Sequence, residues 1–173
     1  MDLKNFLIEM LTEATLTKNS VTTDEEIIKK LIRDAVYPGG KPLIANTTDE
    51  TYIITGSLTP EEIETVRESE RLDKKLDAYR KATPEEQVQL YSAERSQNED
   101  LRNKDKPINI DKYEEYLVNK QFEMDSKKQE IANKFLPEVK KLKSALNSNK
   151  IVPSIFSNLK VTPQVIARKR AML

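Results

Sequence analysis

From Tyr113 to Leu146 apolar side chains recur at helical spacing: Tyr113, Tyr116, Leu117, Met124, Ile131, Phe135, Val139, Leu142 and Leu146. The pattern predicts one long helix opening at Asp111, with Glu114 three residues on to complete the cap. At 3.6 residues per turn the stripe lasts about ten turns. A stripe of that length, with charge everywhere else, must be covered by another helix, from this chain or from another copy. Pro137 predicts a kink or a split at Leu136, because proline removes one helical hydrogen bond and crowds the turn before it.

The rest of the chain offers little for a thick core. Of its 173 residues 34% are charged and 6% aromatic, with three glycines and no tryptophan. That balance predicts a mainly α-helical, elongated protein with long charged helices and one small β-hairpin, completed by its neighbours. Cysteine is absent, which removes disulfides, thiolate metal sites and a cysteine nucleophile. Histidine is absent too, and with it the usual general base, metal ligand and pH switch. No apolar run approaches the roughly 18 residues of a membrane span. Asp2 and Glu9 interrupt what a signal peptide would need at the N-terminus. The expectation is a soluble protein kept inside a cell, or inside something built there.

Local signals divide the chain into three segments of one continuous unit. Residues 1–58 hold an N-terminal amphipathic run, a helix over 24–36 and a hairpin over 41–55. Thr23-Asp24-Glu25-Glu26 is a capping box, followed by an apolar face of Ile27, Ile28, Leu31, Ile32 and Ala35 and ended by Pro38-Gly39-Gly40. Lys41–Asn46 and Thr51–Thr55 read as strands around the turn Thr47-Thr48-Asp49-Glu50. A lone hairpin is marginal in water, so it has to lie on a helix or join a neighbour's sheet.

Residues 59–106 read as a charged helical arm. Helices open at Thr59-Pro60-Glu61-Glu62 and Thr83-Pro84-Glu85-Glu86, with threonine at the cap and proline at the first helical position. The first has a thin stripe of Ile63, Val66, Leu72, Leu76 and Tyr79, which suits a helix crossing between neighbours. Residues 107–173 hold the long kinked helix, the proline-broken apolar segment Ile151–Leu159 and a basic tail. Thr162-Pro163-Gln164 repeats the start signal and predicts a short basic helix over Pro163–Ala171.

No constellation of side chains points to catalysis, and the expectation is a protein that is not an enzyme and carries no cofactor or metal. The carboxylates sit among lysines and arginines at helical spacing, as surface ion pairs do. Glu61, Glu62, Glu85 and Glu86 lie in first helical turns, where the helix dipole favours negative charge. Charge along the chain is more telling. From Ser126 onward eleven basic residues face only Glu130 and Glu138, a net +9, so the rest of the neutral chain carries −9. Lys140, Lys141, Lys143, Arg168, Lys169 and Arg170 are the candidates to face an anion or DNA, in a salt-sensitive and sequence-blind way. Phe156 is the one aromatic of this tail, and docking into a groove accounts for it better than base stacking.

The N-terminus supplies a family resemblance. Leu3, Phe6, Leu7, Met10, Leu11 and Ala14 mark one face of an amphipathic helix. It ends in Leu11-Thr12-Glu13-Ala14, which resembles the cleavage consensus of prohead proteases in T4-like tailed bacteriophages; Leu7-Ile8-Glu9-Met10 is a poorer second copy. Helix and motif together look like the capsid-targeting segment of phage internal head proteins. The resemblance covers about 14 residues. It implies a virion component in or beside the head: an internal, cargo or head–tail connector-region protein in a multi-copy assembly. Leu3, Phe6, Leu7, Met10, Leu11 and Phe156 would then dock on other subunits, with non-specific DNA contact at the basic end and no membrane. The alternative is a small nucleic-acid-binding regulatory protein of the host cytoplasm that uses its basic C-terminal third.

Overall fold

The computed structural model describes residues 15–97 and 110–164. In chain order the elements are β1 (Thr15–Leu16), α1 (Asp24–Val36), β2 (Leu43–Asn46), β3 (Thr51–Gly56), α2 (Pro60–Lys81), α3 (Pro84–Gln97), α4 (Ile110–Asn147), a 3-10 turn (Pro153–Ile155) and β4 (Leu159–Pro163). The protein is mainly α-helical, as its composition predicts. It divides into two compact units, residues 1–63 with 129–173, and residues 64–128. The third segment of the sequence is thus shared between the two.

The helix starts form as their sequences dictate. Thr23 Oγ1 accepts the Glu26 N–H at 3.2 Å, and Thr83 Oγ1 accepts that of Glu86 at 3.3 Å. At Thr59 the box is reciprocal: Glu62 N–H donates to Thr59 Oγ1 at 3.1 Å, and Thr59 N–H donates to Glu62 Oε1 at 2.9 Å. The cap expected at Asp111 lies outside the described side chains. α4 runs without a break through Pro137, so the helix is not split at Leu136.

The hairpin is real but not alone, which corrects the sequence reading. β2 and β3 pair antiparallel around the expected turn, with Thr47 N–H donating to Glu50 O at 2.8 Å. β1 adds to β2 in parallel and β4 adds to β3 antiparallel, giving a four-stranded sheet in the order β1-β2-β3-β4. All four strands of this sheet come from the one chain. Register places Leu16 beside Ala45, Ala45 beside Tyr52, and Leu43, Ile54 and Val161 in one row. These side chains are buried on one face, where α1 packs on β3. Phe135 of α4 and Leu31 of α1 close directly over Gly56, the position in β3 that follows Tyr52 and Ile54 on that face. Gly56 leaves room for the ring: a Cβ there would stand 3.1 Å from Phe135 Cζ.

The end of the chain also departs from its local signal. Thr162 and Pro163 lie in β4, not at the start of a helix. Ser57 N–H donates to Asn158 O at 3.1 Å and Gln164 N–H to Thr51 O at 2.7 Å. The alternation of an antiparallel ladder then turns the backbone of Pro163 to the outer edge, where its missing N–H costs no bond. The remainder of the expected basic helix, 165–171, lies outside the described residues.

In the other unit the stripe of α2 is buried inside the chain. Leu72, Leu76 and Tyr79 form one core with Tyr91 of α3 and Tyr113 and Leu117 of α4. The rings of Tyr79 and Tyr113 meet edge to face at 5.0 Å, and Tyr91 lies 5.0 Å from Tyr113 at a tilt. Around them run the pairs Lys75–Glu94 at 3.1 Å and Arg80–Glu114 at 3.0 Å. A thin stripe suffices here because three helices share one narrow seam.

Candidate docking surfaces

The polar groups divide into those bound within the fold and those left outward. Lys30, although buried, is satisfied: its ammonium donates to Asp34 Oδ1 at 2.9 Å and to Lys41 O at 2.7 Å. That bond pins the loop holding Gly39, whose φ of 111° is open to glycine. Glu138, 4% exposed, accepts from Ser157 N–H at 3.3 Å and Ser157 Oγ–H at 2.8 Å through Oε1, while its Oε2 has no partner. It ties α4 to the segment entering β4. Burial pushes the Glu62 carboxyl up, but the Thr59 N–H and the Lys134 ammonium at 3.0 Å outweigh that and hold it below its usual value. Tyr52 donates its hydroxyl to Glu50, and this bond, with burial and the carboxylate charge, pushes its pKa up to about 12. Each of these groups acts on a neighbour in the chain.

The first outward surface is the far side of α4. Val139, Leu142, Ala145 and Leu146 are buried, so the helical period turns Lys140, Lys141 and Ser144 to solvent. Lys143, placed by the sequence among the anion-facing residues, is instead taken by Asp24 at 2.7 Å. Its ammonium neutralises the first turn of α1, so it belongs to the fold. Lys140 and Lys141 are exposed and have no ion pair among the described residues, and the same holds for Lys150 beyond the helix and Lys160 in β4. Lys150 and Lys160 were visible in the sequence only as part of the charge excess.

The second surface is the other side of the sheet. Thr15, Ile44, Ile53 and Thr162 stand in one row across all four strands, with Asn46 and Thr51 in a second and Thr55 and Lys160 in a third. None of these residues is buried. The alternation Thr51, Ile53, Thr55 against Tyr52, Ile54, Gly56 was the available signal for this face. It was missed because two of the four strands were not anticipated.

Of the expected partner-binding residues the structure describes only Phe156. Leu3, Phe6, Leu7, Met10 and Leu11 lie outside the described residues, as do Arg168, Lys169 and Arg170. Phe156 is 7% exposed and docks in its own chain, beside the turn it caps, so it offers no surface to a partner. Among the described residues no group of three or more acidic side chains is placed to hold a metal ion. No described helix is long and apolar enough to cross a membrane. The chain matches no protein-family model, no curated protein and no solved structure.

Proposed function

We propose that this protein is a non-enzymatic structural component of a tailed-bacteriophage particle, an internal, cargo or connector-region subunit docked on its neighbours. The observation that carries the reading is the contrast among the lysines of the C-terminal third. Lys134 and Lys143 are bound to Glu62 and Asp24, while Lys140, Lys141, Lys150 and Lys160 stand exposed without an ion pair among the described residues. Lys140 and Lys141, adjacent on the outward side of α4, suit DNA or an acidic subunit. The N-terminal apolar face and its Leu11-Thr12-Glu13-Ala14 motif supply the link to phage heads.

The test is to band particles by density from cultures that make the protein and to probe the fractions with an antibody against it. Co-banding with DNA-filled heads is expected, with less incorporation for the Lys140→Glu/Lys141→Glu variant. Absence from the banded particles refutes the reading. The same lysines favour the second reading, a free nucleic-acid-binding regulator. That protein would bind duplex DNA alone, with a log–log salt slope of about −2 for the two phosphate contacts of Lys140 and Lys141.

A further inference from the structure

Two exposed surfaces carry opposite charge, each with apolar side chains beside it. The segment after α4 is tied back along that helix. Lys150 N–H donates to Ala145 O at 3.0 Å, Ser157 Oγ–H to Glu138 Oε1 at 2.8 Å, and Asn158 Nδ2–H to Lys134 O at 3.4 Å. Lys141 stands three residues from Glu138 and four from Ala145, on the side of α4 that this segment follows. Between the ties the Ile155 N–H donates to Val152 O at 3.2 Å, and the closed turn brings these two residues together. Val152 is 38% and Ile155 48% exposed. Lys141 and Lys150 are exposed too, without an ion pair among the described residues. The other surface is on α3. Tyr91 is buried, so the helical period turns Glu86, Leu90, Ala93 and Gln97 outward in one stripe, with Leu90 42% exposed. Glu86 accepts from the Thr83 hydroxyl at 3.1 Å and has no ion pair among the described residues.

We propose that these two surfaces meet between copies of this chain, with Lys141, Val152 and Ile155 of one copy against Glu86 and Leu90 of the next. An ammonium beside two aliphatic side chains complements a carboxylate beside a leucine. The phosphates of DNA would meet the lysine and leave Val152 and Ile155 in water. The two surfaces differ, so the contact is head to tail, and its repetition runs from copy to copy or closes in a ring. Each patch is small, which sets the contact at the weak end of protein interfaces. Several such contacts acting together in an assembly offset that weakness. The inference rests on the particle reading in one respect: it names another copy of this chain as the acidic subunit that the α4 lysines meet.

Light scattering of the full chain over rising concentration tests the contact, with circular dichroism to show that each variant keeps its helices. The average mass of the parent should rise as concentration approaches about 1 mM. Lys141→Glu alone sets two carboxylates against each other and should weaken association about tenfold. Glu86→Lys alone sets two ammoniums against each other and should do the same. An equal mixture of the two variants should recover association, because each altered surface then finds its complement. Ile155→Ser, at an exposed position, should weaken it without a change of charge. A parent chain that stays monomeric throughout overturns the proposal. So do single variants that associate like the parent, or a mixture that does not recover. None of these outcomes decides whether the protein bands with particles, so the particle reading stands or falls on its own test.

Discussion

Gly56 and Phe135 test the packing of the sheet unit most directly. Gly56→Ala would place a methyl 3.1 Å from Phe135 Cζ, 3.2 Å from its Cε1 and 3.4 Å from Leu31 Cβ. Leu31 Cβ is fixed to the backbone of α1, so relief has to come from the ring, which is itself fully buried. Overpacking of this kind costs about 1–3 kcal/mol. Against it stands about 0.5–1 kcal/mol from the smaller backbone entropy of alanine in the unfolded chain. The expected net loss is about 1 kcal/mol. Phe135→Leu removes ring atoms from the same spot and should cost about 1–2 kcal/mol alone. In the double variant the methyl enters space the ring has left, so the two losses should not add, with a coupling of about 1 kcal/mol in favour of the pair. Urea unfolding followed by circular dichroism, with unchanged m-value, reads all three. Losses that add within about 0.3 kcal/mol, or a Gly56→Ala variant more stable than the parent, refute the close approach.

Three other perturbations follow from the polar contacts. The Glu62 pKa is depressed in the folded state, so its contribution is fully present above the ordinary value of 4.5 and disappears as pH falls through the lower folded value. Glu62→Gln should flatten the acid limb of the stability curve, and an unchanged limb would show that the Lys134 contact is not made in solution. The Tyr52 pKa is raised, so its contribution is present below pH 10 and lost as pH rises toward about 12. Glu50→Gln should bring one tyrosine in the ultraviolet absorbance titration back toward 10, and a titration curve that does not move would count against the pair. Ser157→Ala deprives buried Glu138 of a donor and should cost about 1–3 kcal/mol. Adding Glu138→Met should recover part of that loss; no recovery in denaturant unfolding would mean that the serine acts elsewhere.

What the sequence made legible was local. Thr23, Thr59 and Thr83 announce their helices because a cap needs one side chain and an amide three residues away. The turn at Thr47–Glu50 is equally self-contained. β1 and β4 were hidden because their partners are distant: Thr15 reads Ile44 and Thr162 reads Ile53, pairings that no short window contains. At Thr162-Pro163 a helix-start signal and an edge-strand position compete, and pairing with β3 wins because proline loses nothing at an outer edge. Phe156 shows the same limit: an aromatic in a polar tail looks like a docking residue until the turn that buries it is known. Of the anion-facing candidates, exposure of Lys140 and Lys141 follows from the α4 period, whereas the pairing of Lys143 depends on where Asp24 lies.

The charge asymmetry that first suggested an outside partner is largely answered within one unit. Residues 1–63 contain eleven acidic and six basic side chains, and 129–173 contain nine basic and two acidic. These two stretches together make the sheet unit. Residues 64–128 are close to balanced, with sixteen acidic and fourteen basic. Lys134–Glu62 and Lys143–Asp24 join the opposed stretches. Each pair is partly exposed and worth about 1 kcal/mol at most, whereas each buried apolar side chain of α4, Phe135, Val139 and Leu142 among them, contributes about 1.5–3 kcal/mol. Burial therefore holds α4 in place, and the two pairs set which way it faces. Lys140 and Lys141 take no part in either task. Their replacement leaves the fold its whole core and both its orienting pairs, so a loss of particle incorporation or of DNA affinity in that variant is a loss of recognition.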